Sequence, residues 1–454
     1  MILKKRTFVI LLSLVFTLIV VNLFPGGAKE KAELGKITTE PVTIYMWIAG
    51  GQNTDFWNSA TAMYTEEHPN VTFDITVQDS DYILKNMFTV LASKPKKLDM
   101  MFNWTGTRIK KLYDDGSIML IDPWFEYYRW DEKMLPGYRQ NTIPGVGNAF
   151  FCTYYMTHSE VYYNTKIFEE NGLTPPNSID EFFTLCGKLK SAGIQPLAAG
   201  GKDGWPLHLI WNQMIARYMS APDVEKLHMW VLDPNKSAET AEIFRSEGAV
   251  KAFQFIADLS SKEYFGKGVN ALGFEEQNEY FQQGKAAMMF GFIPMTIYDT
   301  RKVVPDMPMD YFVMPPNDDF TAIPTEFMDG VVFPIGLKDD PVKQAVLADL
   351  LNKLVVDEKY ITEALLKNGC LPNSKLITDP DKIVEITGEP LIAKGIADIN
   401  KYGTVTITDD WIPPAMVDVY YKALQSAAQV TMTGEEAAQS MYDAAIEVLE
   451  FEQE

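Results

Sequence analysis

Three β-rich runs separated by two helical stretches constrain the first third of the chain. Val42–Trp47 (VTIYMW) is dense in β-branched and aromatic residues, Val71–Val77 (VTFDITV) alternates like a half-buried strand, and Leu98–Phe102 (LDMMF) is a third short run. Between the first two, Phe56, Ala60, Met63 and Tyr64 recur at helical spacing, with Thr54 as the expected N-cap and Pro69 past the end. A second helix is expected to reach about Ser93. This alternation predicts an α/β sheet of mainly parallel order, because parallel neighbours need a helical crossover between them. Ligands of such sheets bind outside the carboxyl ends of the strands. That rule selects Trp47, Gln52 and Asn53 after the first strand, and Asn103 and Trp104 after the third.

The middle of the chain is punctuated by caps. Asn164 can open a short helix that Gly172 closes, and Ser178-Ile-Asp-Glu181 reads as a capping box. The helix it starts carries Ile179, Phe182, Phe183, Cys186 and Leu189 on one face, so Cys186 is expected to be a buried thiol. Gln195–Ala199 is a strand leading into GGKDGWP (Gly200–Pro206), mostly helical sequence follows to about Gln283, and Ala286–Phe290 is another strand. Tyr311–Met314 and Val331–Ile335 are strand-like. Asp340-Pro341 pairs an N-cap with proline at the first helical position, and Thr433–Glu436 is a further capping box.

Composition narrows the function. A net charge of −21 excludes nucleic acid as a partner, since phosphates demand Lys and Arg. Three cysteines and four scattered histidines match no metal-ligand spacing, and neither a metal nor a cofactor is expected. Lys4, Lys5 and Arg6 precede an apolar stretch from Thr7 to Phe24, the pattern of an export signal. Residues 1–28 read either as a signal peptide cleaved after Ala28 or as a retained anchor, and 29–41 as a tether. No cysteine follows the apolar stretch, so a lipid anchor is not expected.

From Tyr154 to Pro206 the tyrosine run ending in Tyr162-Tyr163-Asn164, the helix pair around Pro175-Pro176, and GGKDGWP stand in a fixed order. Together with the YFQQGKAAMMFG passage (Tyr280–Gly291), this order resembles the extracellular solute-binding proteins of ABC importers, in their carbohydrate-binding, maltose-binding-protein-like branch. The resemblance implies an α/β, two-lobe periplasmic-binding-protein fold of type II, with discontinuous lobes joined by a hinge around a ligand cleft. It implies lobes of residues 42–151 plus 291–337 and 152–290 plus 338–454. It also implies a non-enzymatic, monomeric, exported receptor that captures a sugar by closing and hands it to ABC permease subunits driven by a separate ATPase. An exported glycoside hydrolase, or a same-fold receptor for a polyamine or other solute, are the alternatives.

A sugar presents apolar C–H faces and hydroxyl edges, so its site needs flat aromatic rings beside polar side chains. GGKDGWP offers both in Asp203 and Trp205, and the resemblance places these two in the cleft. It also brings in Tyr154 and Tyr155 after the first crossover, Phe292 where relatives often carry Trp, and Glu326 and Asp329 where relatives often carry Gly. Trp411 completes the set, while its neighbours Asp409 and Asp410 read as solvated.

Overall fold

The structure is a computed structural model and describes residues 33–135, 146–315, 322–326 and 329–452, without the side chains of Gln52, Asp81, residues 156–159 and Glu326. The expected signal or anchor at 1–28 and most of the tether lie outside the described residues.

Among the described residues, twelve strands form two sheets. The first contains β1 (Val42–Ala49), β2 (Val71–Gln78), β3 (Met100–Trp104), β4 (Phe151–Cys152) and, from later in the chain, β10 (Asp329–Val332), in the order β2-β1-β3-β10-β4. β1 runs parallel to β2 and β3, as the strand–helix alternation requires, whereas β10 lies antiparallel between β3 and β4. The second sheet is ordered β12-β9-β5-β7-β6, from β5 (Tyr154–Asn164), β6 (Gln195–Ala198), β7 (Ala286–Ile293), β9 (Ile323–Glu326) and β12 (Thr404–Val405). β8 (Met309–Phe312) and β11 (Leu371–Pro372) also pair with β5.

Local signals account for many element starts. Asn164 Oδ1 accepts from the Ile167 N–H at 3.1 Å, Asp340 Oδ1 accepts from Lys343, and Thr433 with Glu436 forms a reciprocal box. Two expectations need correction. Helix Gln52–Glu67 begins two residues before Thr54, because Gly51 at φ +68° turns the chain into it. At Ser178 only half the box exists: Ser178 Oγ accepts from Glu181, but the Glu181 carboxylate turns to the Asn177 N–H at 2.7 Å.

Strand pairing also redraws the expected lobes. Among the described residues of 291–326, none joins the first sheet. β7 continues to Ile293, opposite Thr157, and β8 and β9 pair with β5, so only β10 of that block enters the first sheet. Likewise helix Pro341–Val356 packs on the first lobe instead of the second. Asp349 accepts from the Tyr64 hydroxyl at 3.0 Å, Asn352 from the Trp130 indole at 3.1 Å, Lys353 pairs with Glu67 at 2.8 Å and Lys343 with Asp99 at 2.8 Å. The chain thus passes from first sheet to second at Thr153, returns between β9 and β10, and reaches the second again by β11.

The second lobe buries an aromatic core in which Phe182 meets Phe255, Phe290 and Phe312. Cys152, Cys186 and Cys370 are free and buried, and burial pushes each thiol up. Such thiols are poor nucleophiles and inert toward ordinary oxidants. No helix among the described residues is long and apolar enough to cross a membrane.

Candidate functional site: a cleft between two lobes

Where the chain passes between sheets, a buried polar triad forms. The Tyr154 hydroxyl stands 2.7 Å from Asp329 Oδ2 and 3.0 Å from the Asn53 amide oxygen. A phenol has one proton, and the carboxylate is the stronger and nearer acceptor, so Tyr154 donates to Asp329. The Asn53 contact is then satisfied when its amide NH2 faces the phenol oxygen. These three come from the helix after β1, from the start of β5 and from the start of β10, so the triad ties together three chain segments far apart in sequence.

Burial pushes the Asp329 carboxyl up from 3.8 to about 6, with the Tyr154 hydroxyl opposing. The folded protein therefore keeps a proton there that the unfolded chain has already released. The resulting stabilisation is full below the unfolded value and is lost as pH rises toward the folded one. Asp329→Asn removes this dependence. We expect the stability of the variant relative to wild type, from urea midpoints, to rise by about 2 kcal/mol between about pH 4 and pH 7.5. A pH-independent difference would contradict the assignment.

Asp329 lies in register with Trp104 on β3. Trp104 is half-buried, with Phe102 edge-on at 4.9 Å and the Arg108 guanidinium 5.8 Å from its ring centre. Asn103 is not brought to the cleft. Its side chain is fully buried in the first lobe, bonded to the Trp104 N–H and facing Met87, because alternate residues of a strand point to opposite faces. Trp47 is half-buried beside Tyr82.

A second aromatic cluster belongs to the other lobe. Trp205 opens helix Trp205–Tyr218 after Gly204 at φ +79°, and its ring meets Phe274 at 4.6 Å, Phe292 at 6.1 Å and His208 at 6.4 Å. Asp203 is exposed beside it, and Tyr155 is half-buried. Phe292 is buried behind Trp205, so it supports that ring more than it offers a surface. The side chains of Gln52 and Glu326 lie outside the described residues.

Trp411 is buried, at the end of the short helix Thr408–Trp411. Asp409 and Asp410, expected to be solvated, are only 5% and 1% exposed. Their charges have partners that adjacency in sequence conceals. His208 Nδ1 lies 3.2 Å from Asp409 Oδ1, the Tyr421 hydroxyl donates to Asp409 Oδ2 at 2.7 Å, and Arg108 Nη1 lies 3.3 Å from Asp410 Oδ1. Burial alone would raise Asp409, but His208, Arg108 and Tyr421 together hold it well below the usual range. Burial pushes Asp410 up, against the pull of Arg108, and Asp409 and Asp329 add to the rise.

The sequence reading missed Arg108, His208, Phe274 and Tyr421. Arg108 follows the end of β3, so the strand-end rule could have found it; the others carry no local signal. Among the described residues no group of three or more His, Cys, Asp and Glu could hold a metal ion.

Known proteins resemble this chain in sequence and in fold. The chain is 21% identical over 299 residues to an uncharacterised ABC transporter extracellular-binding protein of Pyrococcus horikoshii, a match spanning 61% of this chain and 64% of that one. It is 22% identical over 202 residues to the melibiose/raffinose/stachyose-binding protein MelE of Bacillus subtilis, spanning 44% of each. The matches therefore cover less than two thirds of these curated relatives. Among solved structures, a chitin oligosaccharide binding protein superposes with a TM-score of 0.74 at 17% identity, covering 89% of this chain and 98% of the other. Maltose-bound MalE3 of T. maritima superposes at 0.70 with 15% identity, covering 89% and 99%. These likenesses establish the two-lobe α/β solute-receptor fold. Residues 38–338 match the family model itself, and the chain belongs to the bacterial extracellular solute-binding proteins.

Proposed function

We propose that this protein is the exported substrate-binding receptor of an ABC importer, and that it takes a neutral sugar or short oligosaccharide between its lobes. The carrying observation is the chemistry of the two walls. One presents half-buried Trp205 backed by Phe274 and Phe292, a surface suited to the C–H face of a pyranose. The other carries half-buried Trp104 beside the triad of Asp329, Tyr154 and Asn53, whose remaining acceptor and amide sites match hydroxyl edges. Relatives whose names specify a ligand are sugar receptors: MelE, and the multiple sugar-binding protein of Streptococcus mutans.

The mechanism is population shift. A ligand that touches both walls only when they approach stabilises the closed form by its differential contacts. The closed monomer then docks on membrane permease subunits, which a separate ATPase drives. Nothing in this sequence of steps needs a catalytic residue. Trp47, Tyr155, Asp203 and Trp411 belong to the same reading as flanking contacts, with Gln52 and Glu326 beside them.

The test is a thermal-shift panel of raffinose, stachyose, maltose, galactose and chitin oligosaccharides, with polyamines as controls. A ligand at 100 times its Kd stabilises the native state by about 2.7 kcal/mol, which raises the melting temperature by several degrees. We expect one class of sugar to do so. A shift with polyamines alone would overturn the ligand class, and release of monosaccharide from an oligosaccharide would overturn the transport reading.

A further inference from the structure

The segment before and including helix Thr408–Trp411 is anchored to the second lobe. Asn212 Oδ1 accepts from the Thr408 N–H and hydroxyl at 3.2 and 2.9 Å, His228 sits between the hydroxyls of Thr406 and Thr408, and Asp409 is held by His208 and Tyr421. Its other side meets the first lobe. Arg108, on helix Thr107–Asp114 directly after β3, pairs with the Asp410 carboxylate at 3.3 Å and donates to the Asp409 carbonyl at 3.2 Å. The Thr107 hydroxyl donates to the Ile412 carbonyl at 2.8 Å. Gly106, at φ +91°, lets the backbones touch, because a Cβ there would overlap the Asp410 carbonyl oxygen. Arg108 is only 6% exposed, so this contact is buried although it joins side chains of different lobes.

We propose that Arg108 and Asp410 form an inter-lobe latch, and that Arg108 is a positioning residue whose bond to Asp410 sets the open–closed equilibrium and, through it, ligand affinity. This rests on the reading that the protein captures its ligand by lobe closure. The physical sign is fixed even though a buried ion pair gains little overall. Desolvating both charges offsets most of their attraction, but removing one partner strands the other without compensation. That penalty exists only with the lobes together, because separation returns the survivor to water. A single truncation therefore favours the open form, and removing both partners restores part of the closed population. A second tie crosses between lobes, from Asp55 on helix Gln52–Glu67 to Lys302 at 2.7 Å and Tyr298 at 3.2 Å on helix Met295–Val303. Lys302 and Asp55 are well solvated, so this pair contributes less.

The experiment is double electron–electron resonance between spin labels on the full protein, at Glu66→Cys on the first lobe and Glu435→Cys on the second, both exposed positions. It is run without ligand and with whichever sugar the panel finds. In Arg108→Ala the closed-to-open ratio falls about tenfold or more, and sugar affinity falls with it through faster dissociation. Arg108→Ala/Asp410→Ala recovers part of both, an outcome that a purely structural role would not give. Arg108→Lys, which keeps the charge and loses the fork, gives an intermediate ratio and stands in if the alanine variant does not fold. Distance distributions unchanged from wild type in Arg108→Lys and Asp410→Asn, with and without sugar, would overturn the latch. A changed ligand-free distribution with no sugar binding would leave the latch and sink the sugar-receptor reading. Sugar binding with unchanged distributions would do the reverse.

Discussion

Trp205→Ala lowers sugar affinity by about one to two orders of magnitude while leaving the ligand-free melting temperature within a few degrees of wild type. A carbohydrate stacked on an indole loses the ring's contact area and the exclusion of water from its C–H face, worth about 1–3 kcal/mol, and every 1.4 kcal/mol is tenfold in Kd. Stability changes little because the ring is half-buried at the first turn of its helix, not in the core. Trp205→Phe keeps a flat ring but loses the indole N–H and part of the stacking face, so it falls between. Phe292→Ala behaves differently: the ring is buried, so the protein destabilises as well as binding less tightly. Isothermal titration with the best sugar from the panel reads all three variants, and unchanged affinity in Trp205→Ala would remove the aromatic wall from the site.

Arg217→Met costs about 3–5 kcal/mol of folding stability, the size expected when a buried charged group is removed from the carbonyls it bonds and from an opposite charge nearby. Arg217 is fully buried on helix Trp205–Tyr218. It donates to the Met314 carbonyl from two nitrogens at 3.2 and 3.1 Å and to the Ala322 carbonyl at 2.7 Å. Those carbonyls stand at the two ends of the connection between β8 and β9, so one guanidinium fastens both. Burial lowers Arg217 to about 10, with the buried Glu160 charge pulling the other way, so it is cationic at neutral pH. Methionine fills much of the volume, leaves the Met314 and Ala322 carbonyls without the guanidinium and removes the positive charge near Glu160. A urea titration that shows a fall in midpoint with unchanged slope reads the loss. A shift below about 1 kcal/mol would mean that water replaces the guanidinium.

Much of the fold was legible because it is local. The strand–helix alternation from Val42 to Phe102 depends on periodicity within a few residues, and it appears as β1, β2 and β3 with parallel pairing. Asn164, Asp340 and Thr433 cap helices because a side-chain oxygen two or three residues away satisfies an otherwise unpaired N–H, a condition visible in a four-residue window. The placement of the candidate residues was partly legible for a related reason. Trp104 ends β3 and Asn53 lies just past β1, as the strand-end rule selects, and Gly204 marks the turn into the helix that Trp205 opens. Asn103 turns into the first lobe because one residue along a strand reverses the face.

What the sequence by itself determined is the alphabet: an acidic chain with an export-type start, an α/β alternation, well-marked helix starts, and a loop carrying Asp203 and Trp205. The tertiary structure alone decided which sheet each later strand joins. β8, β9 and β10 are all four-residue runs of mixed apolar and polar residues, yet the first two pair with β5 and the third inserts between β3 and β4. The tertiary structure also turned Asp409 and Asp410 from an expected solvated pair into the buried meeting point of Arg108, His208 and Tyr421. Helix caps and periodicity are set by neighbours along the chain. Strand pairing and charge burial also draw on partners as far as three hundred residues away, as Arg108 and Asp410 do, and their energies exist only once the lobes have formed.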